Sequence, residues 1–286
     1  SNMRAFITVG LGFGDEGKGA TVDFICRSFR AALVVRYSGG AQCGHNVIGP
    51  FGQRHPFAQF AAGTFAGAKT YLAQQVIIDP TAMEREAAAL GNPWNLLTVH
   101  PRCLVSTVFH SLLNQAKERR DNHGSCGMGI GETRRYWLQY GSDSVFAEDL
   151  GNIHRLTEKL ELLRQRVLLE QKIETVRKTS IRLVAKSLLE SAENLRLHSV
   201  PGPLPECVVF EGAQGVLLDE NWGFNPHTTW SDVTPRLARD LCHEWGIKDV
   251  TTIGVTRAYL TRHGSGPFPG EVDLGISDPG NQDNDS

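Results

Sequence analysis

Apolar and polar positions along this chain follow two patterns. Short, nearly continuous apolar runs occur at Ala5–Val9, Ala32–Tyr37 and Cys207–Phe210, with a fourth at Val250–Val255. They are partly β-branched, and each leads into a glycine-bearing segment. Runs of this length and composition predict strands buried on both faces. Helix-like stretches lie between them, and strand–helix alternation predicts a parallel sheet covered on both sides. Ligands on such sheets bind beyond the carboxyl ends of the strands, so the glycine-bearing segments are expected together at one edge.

The pattern changes between Asn152 and Leu197. Leu156, Leu160, Leu163, Val167, Ile173, Val176, Ile181, Val184 and Leu188 recur at helical spacing among many Arg, Lys and Glu residues. This predicts a helical insertion over about 152–198 with one apolar stripe, packed on the sheet domain rather than on a second subunit. Asp273–Ser286 is Gly, Asp, Asn, Ser and Pro with hardly any apolar content, which predicts a disordered tail or linker over 273–286. The remainder, 4–272, is expected to form a single nucleotide-binding domain. Ser1-Asn2 reads as an added overhang before a native Met3, with no secretory segment after it.

Composition narrows the function classes. Of 286 residues, 41% are hydrophobic and 21% charged, as in ordinary globular enzymes. A formal net charge of −2 gives no global attraction to nucleic acid or to an acidic membrane, and no apolar run approaches bilayer length. The six cysteines, at 26, 43, 103, 126, 207 and 242, form no CxxC pair and fit no zinc spacing. Free thiols in a reducing cytoplasm are expected. Cys43 and Cys126 lie in glycine-rich loops, where a small residue filling a tight turn is favoured over a reactive nucleophile.

The chemistry concentrates in the loops. Gly12-Phe13-Gly14-Asp15-Glu16-Gly17-Lys18-Gly19 sits between the first strand and an amphipathic stretch. Strand, glycine turn, lysine and helix form the layout of a phosphate cradle, in which backbone N–H groups and a helix N-terminus face the anion. Gly19 stands where a Ser or Thr would hold magnesium, and the carboxylate of Asp15 is placed to replace that hydroxyl. Lys18 supplies a point charge for a phosphate. A bare glycine turn with a solvated lysine is the competing reading. A second loop, Arg36–Asn46, brings His45 to the same edge, where it could donate a proton or hydrogen bond to phosphate. In the third, Phe210–Gly215, glycines flanking Gln214 would let an amide approach a ligand closely. The run Gly124–Gly131 is a further anion nest or a connector. The predicted fold class is α/β: a parallel-sheet, P-loop-NTPase-like domain with helices on both faces and a helical insertion.

Together these residues resemble the adenylosuccinate synthetase family. Gly14–Gly19 is similar to its most specific signature, Val34–His45 to its second, and Phe210–Gly215 with Leu217-Leu218-Asp219 to its third. Arg257–Arg262 and Gly264–Pro269 resemble a late motif. The match runs in order from residue 5 to about 272. The resemblance implies a cytoplasmic, homodimeric, Mg²⁺-dependent ligase. Such an enzyme phosphorylates the 6-oxygen of a purine nucleotide with GTP, and L-aspartate then displaces the phosphate. It implies Asp15 as general base and metal ligand, His45 as general acid, Lys18 as phosphate stabiliser and Gln214 as the group orienting the 6-oxygen. Gly14, Asp15, Glu16, Gly17, Lys18, Gly19, Gly44, His45 and Asn46 would bind the nucleoside triphosphate. The Gly44 carbonyl would be a second metal ligand. Gln42, Ser125, Cys126, Gln214 and Thr229 would contact the substrate nucleotide.

Several positions depart from that family's pattern. Gln42 replaces an asparagine, Ala20 a lysine, Cys126 a threonine and Met128 an arginine. Tyr140 stands near the place of an arginine that a two-fold partner normally contributes to the substrate phosphate. Arg134 and Arg135 could compensate from a shifted position. These changes put inosine monophosphate in doubt as substrate. Phe224–Ser231 is closer to a phage branch that makes the 2-amino analogue from deoxyguanylate, although phage members often lack the Asp15 carboxylate. The family's arginine-rich loop for aspartate and its guanine-selecting lysine–aspartate element do not appear before Ser286. Arg236 and Arg239 are candidate substitutes, or simply an ordinary helix face. The donor, GTP or ATP, and the amine are therefore open. A purine-nucleotide-binding regulatory protein and a phosphotransferase using a different amine stand as alternatives.

Overall fold

The fold was analysed in a computed structural model, which describes residues 2–10, 18–30, 32–40, 45–48, 52, 54–121, 129–215 and 235–255. A six-stranded, wholly parallel sheet forms the centre. In chain order the first elements are β1 (Arg4–Gly10), α1 (Lys18–Ser28) and β2 (Leu33–Arg36). An antiparallel hairpin follows, β3 (His45–Ile48) and β4 (Arg54–Phe57), then β5 (Lys69–Leu72), α2 (Pro80–Ala89) and β6 (Leu97–Val99). Helices α3 (Val108–Asp121), α4 (Ile130–Tyr140), α5 (Ile153–Glu170), α6 (Glu174–Lys178) and α7 (Ile181–Ser191) come next. The chain then returns to the sheet with β7 (Cys207–Gly215), α8 (Arg236–Glu244) and β8 (Asp249–Val255).

The strand order is β6-β5-β2-β7-β1-β8. The chain leaves β1, skips one position to lay down β2, and later fills the gap with β7. The three strands that carry the predicted site loops therefore lie side by side, with β7 between β1 and β2. All strands run the same way, so their carboxyl ends share one edge.

Residue alternation along these strands explains why both faces are covered. Phe6, Val34, Leu72 and Val209 enter one apolar core with Val22 and Ile25 of α1. Their neighbours Ala5, Ile7, Leu33, Val35, Tyr71, Val208 and Phe210 enter a second core with Ala238 and Cys242 of α8. A strand apolar at successive positions buries both of its sides, as the continuous runs predict.

Strands β5 and β6 and the β3–β4 hairpin carry no long apolar run, and the sequence reading missed them. Lys69–Leu72 and Leu97–Val99 are too short for their periodicity to stand out. Within the stretch expected as a helical insertion, helices α5, α6 and α7 fall between Ile153 and Ser191. Leu156, Leu160, Leu163, Val167, Val176, Ile181, Val184 and Leu188 all join the larger core. The stripe is broken into three helices. Asn152 and Ser180 cap α5 and α7 by accepting from the N–H groups of Arg155 and Leu183. Residues 256–286, including the expected tail, lie outside the described residues.

Candidate active site

Backbone register brings the predicted site segments together. Thr8 of β1 and Arg36 of β2 both pair with Glu211 of β7. Beyond that point β7 bulges, so that Gly10, the last residue of β1, pairs with Gly215. Gln214 therefore occupies the strand position next to the start of the 11–17 loop. That loop re-enters the described structure at Lys18, the first residue of α1, which is only 1% exposed. A lysine withdrawn from water at a helix N-terminus concentrates positive potential at one spot. His45 and Asn46 open β3, which packs against α1, so the second loop returns to the same helix. Lys18, Gly19, His45, Asn46 and Gln214 thus fall on adjoining backbone. Gly14, Asp15, Glu16, Gly17, Gln42, Gly44, Ser125, Cys126 and Thr229 lie outside the described residues.

The contact between β7 and β1 has no room for a side chain at Gly212. A Cβ there would come within 2.8 Å of the Thr8 carbonyl oxygen and 3.0 Å of the Tyr37 hydroxyl. Thr8 also donates its hydroxyl to the Phe210 carbonyl at 3.1 Å. The first glycine of the third motif is therefore a packing requirement, which holds Gln214 close to β1.

Sequence reasoning gave no role to Arg36 or Glu211. Both are 1% exposed and stand at paired positions where apolar runs end. A charged residue closing a buried strand was the available sign, because full burial of a charge demands partners. One Glu211 carboxylate oxygen accepts from the Ala62 N–H at 3.1 Å.

The two arginines offered as substitutes for lost phosphate contacts differ. Arg135 is held by Glu132 and Glu170 at 2.7 Å each, in a cluster where Lys117 pairs with the same two carboxylates. Arg134 reaches from α4 to the Gln75 carbonyl at 2.9 Å, just beyond the carboxyl end of β5. Tyr140 packs on Tyr136 with ring centroids 4.7 Å apart, and the Arg166 guanidinium lies 3.9 Å above its ring. On α8, Arg239 donates to the Thr252 hydroxyl at 3.1 Å, as a residue of an outer helix face would.

Gly129 closes the 122–128 loop with φ +78 and sits against α3, where a Cβ would lie 2.6 Å from the Ser111 nitrogen. Four cysteines, 26, 103, 207 and 242, are free and buried. Desolvation pushes the Cys26 thiol up to about 12 and Cys242 to about 11, with Cys103 and Cys207 also raised. None of these four is poised as a thiolate nucleophile. Cys43 and Cys126 lie outside the described residues. Among the described residues no helix is long and apolar enough to cross a membrane.

Comparison with known proteins agrees with this geometry. The family model for adenylosuccinate synthetase matches residues 7–282. The adenylosuccinate synthetase of Halothermothrix orenii is 34% identical across 95% of this chain and 66% of its own length. That of Microcystis aeruginosa is 32% identical across 95% and 63%. The chain thus spans a little under two thirds of these relatives. Among solved structures, fully ligated adenylosuccinate synthetase from Plasmodium falciparum superposes with a TM-score of 0.79 at 19% identity, over 94% of this chain and 64% of that one. Cyanophage S-2L succinoaminodeoxyadenylate synthetase, PurZ, solved with dGMP and with dATP as energy donor, gives 0.62 at 16%, over 90% and 65%. The ordered motifs, the sheet that sets β1, β7 and β2 side by side and the match over nearly the whole sequence place this chain in the adenylosuccinate synthetase family.

Proposed function

We propose that the protein is a cytoplasmic, Mg²⁺-dependent carbon–nitrogen ligase acting on a 6-oxo purine nucleotide. The observation that supports this reading is the register of β1, β7 and β2, which puts the end of β1 at Gly10 and the end of β2 at Arg36 beside β7, the strand that carries Gln214. Asp15 removes the N1 proton of the purine, so that electron density moves to the 6-oxygen. Gln214 holds that oxygen in line with the γ-phosphoryl group of the donor. As the bond to the β–γ bridging oxygen breaks, Lys18 and His45 offset the charge that builds on the phosphates. The amine of L-aspartate then attacks C6 and inorganic phosphate leaves, giving the N6-succinyl product.

The donor set suits magnesium. The Asp15 carboxylate and the Gly44 carbonyl are both hard oxygen donors of the kind that would hold such an ion. When bound, the ion supplies charge neutralisation on the triphosphate. Gly14, Glu16, Gly17, Gly19 and Asn46 complete the triphosphate contact, and Gln42, Ser125, Cys126 and Thr229 contact the substrate nucleotide. A homodimer is the expected assembly.

A reading without ligase activity, as a purine-nucleotide-binding regulator, is favoured by one observation. One of the two arginines that the sequence offers to replace a lost phosphate contact, Arg135, is already paired with two carboxylates. Mass spectrometry of products from IMP or dGMP, with GTP or ATP, Mg²⁺, and with or without aspartate, separates the readings. Aspartate-dependent succinyl adducts support the ligase. Nucleotide binding without turnover supports the regulator, and aspartate-independent phosphate release supports a phosphotransferase using another amine. Asp15→Asn is expected to abolish turnover, because the amide cannot accept the N1 proton; unchanged turnover refutes the role given to Asp15.

A further inference from the structure

Five consecutive backbone amides, at residues 58–62, are caught by side chains rather than by another strand or a helix. The Glu86 carboxylate, presented by α2, accepts from Ala58 at 2.8 Å, from Gln59 at 3.0 Å and from Phe60. Ala61 donates to the Thr70 hydroxyl at 3.1 Å, and Ala62 to Glu211 at 3.1 Å. Three acceptors from α2, β5 and β7 thus fix one turn against three separate elements. Glu86 is 9% exposed, and Glu211 and Thr70 are each 1% exposed. A buried carboxylate gathering several N–H groups is a rigid device, since each bond is strengthened by the low local dielectric.

The fixed turn begins directly after β4. Phe57, the last residue of β4, is the register partner of His45, and His55 pairs with Val47. His55 also places its Nε2 3.3 Å from the second Glu86 oxygen. An isolated two-stranded hairpin is marginal on its own, so the β3–β4 pair depends on what holds its ends. Glu86 holds the β4 end, while Glu211 ties the same turn to the strand that carries Gln214.

We propose that Glu86 is a positioning residue. It acts through the 58–62 turn and the β4 strand to set the backbone at His45, and with Glu211 it locks the His45 hairpin to the strand of Gln214. The catalytic consequence rests on the reading of His45 as the proton donor to phosphate. Small displacements of such a group carry large rate penalties, so binding and chemistry should separate. Glu86→Gln keeps the size of the side chain but turns an amide NH₂ toward backbone donors. It is expected to lower kcat about ten-fold or more while KM for the purine nucleotide changes less than about two-fold.

Two measurements decide the matter. In a double-mutant cycle, Glu86→Gln made in a His45→Ala background should reduce kcat little further, because the group it positions has gone. Full multiplication of the two effects, or a Glu86→Gln kcat equal to wild type, overturns the proposal. If His45→Ala alone leaves turnover intact, the role of His45 fails, and hydrogen exchange of the free protein tests positioning independently. Glu86→Gln should then speed amide exchange at 45–48 as well as at 58–62. Faster exchange confined to 58–62 overturns the coupling. If Glu86→Gln does not fold, Thr70→Val, which removes only the acceptor for Ala61, replaces it in both measurements with the same expectations.

Discussion

Protonation of His110 should set the acid limit of this fold. The ring is 3% exposed in the first turn of α3. Its Nδ1 accepts from the Thr107 N–H at 3.0 Å, so the neutral ring carries its proton on Nε2. Burial, with a smaller contribution from the nearby Arg135 charge, pushes its pKa down to about 3 from an ordinary 6.5. Because the folded-state value is depressed, the sign follows directly. Above about pH 6.5 both folded and unfolded chains hold the ring neutral, and it contributes nothing to pH dependence. Below that, the unfolded chain gains a proton that the folded chain refuses. Stability then falls by about 1.4 kcal/mol per pH unit, reaching about 2 kcal/mol at about pH 5. His110→Asn keeps an acceptor for the Thr107 N–H and removes the titration. Urea unfolding of both proteins at several pH values between about 7.5 and 5 gives the comparison, in which other groups cancel. Whatever the substitution costs at neutral pH, the gap between the two proteins should close by about 2 kcal/mol at about pH 5. A gap that stays constant with pH refutes the neutral, buried ring.

Two further perturbations test the packing. Gly212→Ala forces a methyl group to within 2.8 Å of the Thr8 carbonyl oxygen. It should cost about 1–3 kcal/mol in urea unfolding and lower turnover with it, since β7 must move away from β1; wild-type stability refutes the close approach. Asp149→Asn breaks a fully buried carboxylate away from Arg155 at 2.6 Å and Lys159 at 2.8 Å. The expected loss is about 3 kcal/mol, at the low end for a broken buried pair, because Arg155 stays half solvated and Asn still accepts from the Phe146 N–H. A loss below about 1 kcal/mol, the range of exposed pairs, refutes the pairing.

The parts of the fold legible in the sequence are those whose side chains answer to one physical demand. Strands β1, β2 and β7 are buried on both faces, so their apolar runs are continuous and their ends plain. The stripe of α5–α7 needs one apolar face and shows it. Strand β8 was placed within one residue, although the structure leaves most of it partly exposed. Strands β5 and β6 are three or four residues long and draw their stability from neighbours, so no local pattern announces them. The β3–β4 hairpin is less legible still, because its anchor is Glu86, some thirty residues downstream of β4 and on a helix. Lys18 and Gln214 were legible as candidates because glycine spacing exposes them. Arg36 and Glu211 were quoted within motifs without a role, because what surrounds them is tertiary.

On the proposed reading, which cations could meet a phosphate turns on which positive charges are already committed. Lys117 and Arg135 share Glu132 and Glu170, and Arg166 holds Asp143 at 2.9 Å and the Tyr136 hydroxyl at 2.9 Å. Three cations against three carboxylates leave that cluster without net charge. Drawing Arg135 out to a phosphate would strand two carboxylates beside Lys117 alone. Arg134 is one residue earlier, about 100° round α4. It lies on a different face of the helix, with its guanidinium at Gln75 beyond the carboxyl end of β5. The same guanidinium lies 5.6 Å from the Trp137 ring. Of two adjacent arginines that the sequence could not rank, the fold assigns Arg135 to holding α3, α4 and α5 together. Tyr140, packed between Tyr136 and Arg166, belongs to the same structural cluster.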